Sequence, residues 1–129
     1  MDEKQRKRFD FWKNSADEEI STAAVLLKNK KLRQSLFFIH LSLEKILKAI
    51  FIKEKGEHPP LTHNLKYLAE KIPLKLPGNY ENFLIEATAF NIESRYPDED
   101  SSSPDSQYVN DKYNEALEIL KWLQKKSEE

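Results

Sequence analysis

Glu44, Lys45 and Lys48 are the charged residues of an otherwise apolar stretch running from Leu36 to Ile52. A carboxylate beside two ammonium groups can line a polar cleft in which Lys45 or Lys48 meets a phosphate. The same residues also fit a solvated stripe in which Glu44 and Lys48, one helical turn apart, form an ion pair. Arg33 and His40 stand seven positions apart, nearly two helical turns, so a helix puts a guanidinium and an imidazole on one face. Read more plainly, Arg33 starts that helix and His40 packs half-buried between Phe37 and Leu43. His63, directly after Thr62, orders a turn, and His58 in a proline-flanked loop reads as plain surface. The three histidines are dispersed along the chain, and the acidic run after Pro97 lacks the ligand spacing of a calcium loop, so no metal is expected. The absence of cysteine removes disulfides, thiolate nucleophiles and zinc–thiolate sites, and it fits a reducing compartment.

These residues need elements to position them, and the apolar spacing supplies helices. Phe9, Trp12, Ala16, Ile20, Ala23 and Leu27 recur at steps of three and four, predicting a first helix from about Lys4 or Phe9 to Leu27. The run Lys28 to Lys31 closes it with cations suited to a helix C-terminus. A second helix is expected from Leu32 to Lys55, with Leu36, Ile39, Leu43, Ile46 and Ile50 on one stripe. Phe37, Phe38, Leu47, Phe51 and Ile52 widen its apolar arc, as in a helix that is central to a bundle or also serves a subunit interface. Gly56 and the Pro59–Pro60 pair stop it.

Thr62 reads as the N-cap of a short third helix with Leu65, Leu68 and Ile72 inward. A fourth helix fits Asn79 to Ser94, burying Tyr80, Phe83, Leu84, Ala87, Phe90 and Asn91. The segment from Arg95 to Ser106 reads as a surface loop. A fifth helix runs from near Ser106 to Lys125, with Tyr113, Ala116, Leu117, Leu120 and Leu123 facing in and Trp122 beside them. The expectation is an all-α, antiparallel up-and-down bundle of five helices, four long and one short, forming a single domain over residues 1–129.

The whole-chain balance limits the function. With 33% charged residues and a net charge of -1, the chain has no global drive toward nucleic acid, so any RNA contact needs a local basic patch. The basic cluster Lys4, Arg6, Lys7 and Arg8 is interleaved with acids and reads as a frayed terminus. No run approaches the ~18 apolar residues of a membrane span, and the start has no apolar signal segment, so a cytoplasmic protein off the membrane is expected.

Three segments fall in a familiar order. They are EKILKA (Glu44–Ala49) inside FFIHLSLEKILKAIF, THNL (Thr62–Leu65), and RYP (Arg95–Pro97), after a first helix with an early tryptophan. Together they resemble the HEPN domain family over nearly the whole chain. The resemblance implies a five-helix antiparallel bundle that commonly forms a homodimer, works near nucleotides or RNA, and is often paired with a minimal nucleotidyltransferase. Some such pairs look like toxin–antitoxin modules whose HEPN member is a metal-independent ribonuclease.

Ribonuclease members carry an arginine, four to six residues, then a histidine. The imidazole moves protons while the RNA's own 2'-hydroxyl attacks, and the cation holds the phosphate. Arg33 and His40 formally fit that spacing. Arg95 falls where the family's functional arginine often lies, but Tyr96 and Pro97 follow it in place of a histidine, and Asp98, Glu99 and Asp100 would repel phosphate. Arg95 remains a candidate to bind phosphate, pair with Glu44 or cap its helix. The reading is therefore a homodimeric module that binds nucleotide or a nucleotidyltransferase partner, without robust catalysis and without a cofactor. Its ligand-binding candidates are Arg95, Tyr96, Glu44, Lys45 and Lys48. The alternative is a ribonuclease using Arg33 and His40, or Arg95 with help across the dimer.

Overall fold

The described residues fold into five helices: α1 (Glu3–Lys28), α2 (Leu32–Lys55), α3 (Leu65–Glu70), α4 (Gly78–Arg95) and α5 (Ser106–Ser127). The computed structural model describes residues 1–95 and 104–129, with the side chains of 92–95 left aside, and among these residues there is no strand.

Local chemistry sets the helix ends. Asp2 caps α1 by accepting from the Gln5 amide at 2.7 Å, and the basic cluster after it lies exposed on the first turns of the helix. Lys28 closes α1 where a cation suits the dipole. Gly56 ends α2 at φ 67°, a conformation that glycine adopts without penalty, and its amide bonds back to Ile52 O. The cap of α3 is Asn64, not Thr62: the Asn64 side chain accepts from Tyr67 N, while Thr62 Oγ1 accepts from Asn64 N and shapes the approach. An amide or carboxylate oxygen at this position reaches the first-turn donors as a hydroxyl does, and Thr62 lies two residues too early to do so. Asp105 caps α5 by accepting from Tyr108 N.

α1 runs antiparallel to α2, pinned at one end by Gln5 Nε2 donating to Ile52 O at 2.8 Å and at the other by Ser35 Oγ donating to Ala23 O at 2.9 Å. α4 runs antiparallel to α5. Tyr80 stacks edge-on to Trp122 near one end, and Glu86 accepts from Tyr108 Oη and Lys112 Nζ nearer the other. The short α3 lies in the α2–α4 connection, its Leu65 amide donating to Thr88 Oγ1.

α2 is the axle. It packs against all four other helices, and Leu36, Ile39, Leu43, Ile46, Leu47 and Ala49 are at or below 1% exposure. Of its wide apolar arc, Leu47, Phe51 and Ile52 are buried within one protomer, while Phe37 and Phe38 are only half-buried. The inward residues expected of α4, Tyr80 through Asn91, are all buried. On α5, Ala116, Leu120 and Leu123 are buried, Tyr113 and Leu117 are only partly covered, and Ile119 joins the core instead. No helix of the described residues is long and apolar enough to cross a membrane.

Candidate functional site

The centre of the bundle is not wholly apolar. His40, Glu44 and Lys48 lie at successive turns of α2, so a helix aligns them in one stripe, and all three are buried. Glu44 Oε2 accepts from Lys48 Nζ at 3.0 Å, and Glu44 Oε1 stands 3.0 Å from His40 Nε2. His63, brought over from the connection before α3, places Nδ1 2.8 Å from the same Oε1, with 52% of its side chain exposed. Lys48 Nζ also lies 5.5 Å from the centre of the Trp12 ring, a cation–π contact from α1. The network therefore runs from a sealed interior at His40 to the surface at His63.

The protonation states follow from the partners. Burial alone pushes the Glu44 carboxyl up; hydrogen bonds from His40, His63 and Lys48 and the charge of Lys48 more than reverse this and hold it at about 2. Glu44 is thus a carboxylate. His40 Nδ1 faces the Ala87 carbonyl at 3.1 Å while its Nε2 faces Glu44. Both neighbours are acceptors, so both contacts are hydrogen bonds only if the ring carries two protons. Every buried polar side-chain atom among the described residues has a partner.

Of the expected ligand residues, Glu44 and Lys48 form the ion pair that their spacing allowed, but inside the bundle and not on a solvated stripe. Lys45 turns to α1, its Nζ 2.6 Å from Ser15 Oγ and 3.0 Å from Glu19. Neither lysine presents a free ammonium to a phosphate. Arg33 is half-buried at the start of α2, whereas His40, two turns on, is fully buried. Arg95 ends α4 by its backbone; its side chain and all of Tyr96 lie outside the described residues. The meeting of His63 with Glu44 escaped the sequence, where His63 had only a turn-ordering role. The one sign was the His40–Glu44–Lys48 stripe, polar along a helix that is otherwise core.

The second cluster of note is basic. Lys28 at the end of α1, Lys30 and Lys31 in the turn, and Arg33 at the start of α2 gather at the α1–α2 corner. Lys28 and Lys30 face the first turn of α5 (Ser106, Gln107) and its cap Asp105 across a groove of about 520 Å³. Lys30, Lys31 and Arg33 line an adjoining groove of about 330 Å³ with Pro104. Lys30 donates to Ser106 Oγ at 3.3 Å, and it holds φ 60°, the one non-glycine residue with positive φ among those described. Because α4 runs antiparallel to α5, its final residue Arg95 arrives at this same end of the bundle.

The family model described as HEPN domain matches residues 9–126, which is nearly the whole chain. The chain belongs to the HEPN family. Its fold is similar to that of TT1696 from Thermus thermophilus, with a TM-score of 0.75 at 18% identity, covering 94% of this chain and 96% of that one. No curated protein matches the chain. At that identity the likeness to TT1696 carries the helical-bundle fold and nothing finer. The all-helical, five-helix arrangement expected from the sequence is the one observed.

Proposed function

We propose that this HEPN chain is a binding module that receives the phosphates of a nucleotide or an RNA end at its basic turn. It acts as a homodimer beside a nucleotidyltransferase partner, without robust catalysis and without a cofactor. The observation that carries the reading is the convergence of Lys28, Lys30, Lys31 and Arg33 on two adjoining grooves. On a chain of net charge -1, such a concentration of cations is the local patch that an anionic ligand requires. Lys30 holds the left-handed position of the Schellman motif that ends α1, its amide bonding to Leu27 O and that of Lys31 to Leu26 O. A left-handed backbone costs an ordinary residue on the order of 1–2 kcal/mol, and glycine would carry it without penalty.

The homodimer and the nucleotidyltransferase partner rest on family membership. A ribonuclease built on Arg33 and His40 would need the His40 ring within reach of RNA, and that residue is 0% exposed with both nitrogens engaged. Binding without cleavage is the reading this geometry supports. Thermal shift against ATP, GTP, AMP and a short RNA tests it: a bound anion raises the melting temperature, and replacing Lys30 and Lys31 removes the rise. Light scattering at micromolar concentration tests the dimer, and a monomer there would count against it.

A further inference from the structure

We propose that His40, Glu44 and His63 form a three-ligand site for a divalent transition metal of the zinc class, entered from solvent past His63. The ligand atoms, one ring nitrogen from each histidine and a carboxylate oxygen, all lie within 4.8 Å of one another. His40 Nδ1 points at the Ala87 carbonyl, which is how protein-bound metals find their imidazoles: one nitrogen donates to a backbone carbonyl, fixing the tautomer, and the other offers its lone pair. That lone pair aims at Glu44 Oε1, 3.0 Å away, and the ring of His63 brings Nδ1 to 2.8 Å of the same oxygen. Two imidazole nitrogens converging on one carboxylate oxygen need a hydrogen or a metal ion between each nitrogen and that oxygen. A proton on each ring is one solution, and a single metal ion is the other.

The donor set selects the ion. Two imidazoles and a carboxylate, without thiolate, suit zinc with a fourth position left to water. His40 and Glu44 are one turn apart on a rigid helix, and His63 at 52% side-chain exposure supplies the entry path. Lys48 occupies the second oxygen of Glu44 at 3.0 Å, so Glu44 binds through Oε1 alone and the ammonium weakens the site. The site does not rest on phosphate binding at the basic turn: it uses none of those residues, and failure of either reading leaves the other standing.

The experiment is titration of chelator-treated protein with cobalt(II), followed by its ligand-field absorption, and with zinc(II), followed by calorimetry. One equivalent binds, with the absorption of four- or five-coordinate cobalt. His63→Ala, at a half-exposed position, weakens binding by at least ~10-fold, Lys48→Met tightens it, and His58→Ala leaves it unchanged. His40→Gln and Glu44→Gln weaken it as well, read only if circular dichroism shows them folded. Absence of one-equivalent binding in the micromolar range would overturn the site. So would wild-type affinity in His63→Ala, or loss of binding in His58→Ala, which would put the metal on surface histidines.

Discussion

The ring of His40 stands 3.0 Å from the carboxylate of Glu44, one turn along the same helix, with His40 at 0% and Glu44 at 4% exposure. A polar pair this deep needs every partner it has. Glu44 engages His40, His63 and Lys48 through its two oxygens, and the interior of α2 tolerates the charge only because those donors are there.

Removing the carboxylate should therefore cost more than removing the pair. Glu44→Gln leaves the Lys48 ammonium buried without its counter-charge and should destabilise the protein by ~3–5 kcal/mol in urea unfolding. The double variant Glu44→Gln with Lys48→Met should recover part of that loss. A double variant no better than the single one would mean that the stranded Lys48 charge is not the source of the destabilisation.

Acid should act through the same group. The Glu44 carboxyl is held at about 2 against an ordinary value of 4.5. A depressed carboxylate contributes stability that is complete above the unfolded value and lost as pH falls through the folded one. The stability difference between wild type and Glu44→Gln should thus be full above about pH 4.5 and shrink steadily toward pH 2. Denaturation midpoints of the two proteins across this range provide the check, and a difference independent of pH would contradict the assignment.

The capping residue of α3 gives a local test. Asn64→Ala removes the acceptor for Tyr67 N and should cost ~1 kcal/mol. Thr62→Ala, which loses only the bond from Asn64 N at an exposed site, should cost less. The reverse order in thermal unfolding would restore Thr62 as the cap.

The core assignment separates buried from exposed leucine. Leu43, at 0% exposure on the axle helix, should cost ~2–5 kcal/mol when replaced by alanine. Leu61, at 97%, should stay within ~0.5 kcal/mol. Equal effects would mean that α2 is not surrounded as described.

Much of this fold was legible in the spacing of apolar residues. The bounds of α2, and the inward faces of α3 and α4, follow from steps of three and four, because a helix must bury whichever face is apolar. Helix ends were less legible, since Thr62 and Asn64 are both good capping residues and only the path of the chain decides between them. The site was legible in part. His40, Glu44 and Lys48 share a stripe by helical arithmetic, but whether a stripe faces water or core depends on how many helices surround it, and α2 has four. The bond from His63 joins a loop to a helix 19 residues away in sequence, and no local pattern encodes that. The basic turn reads in sequence as a helix stop, which it is; its groove forms only when the first turn of α5 is folded against it.

The phosphate-binding role of the basic turn is decided by titrating a fluorescent short RNA, and ATP in competition, into wild type and Lys30→Gly. Glycine at φ 60° removes the strain along with the charge, so the variant should be equally stable or up to ~1 kcal/mol more stable. It should nonetheless bind several-fold more weakly, with a salt dependence shallower by ~0.7 per lost phosphate contact on single-stranded RNA. A Lys30→Gly protein that is folded and binds with wild-type affinity and wild-type salt slope, or a wild type that binds neither ligand, would contradict the phosphate-binding function proposed for the basic turn.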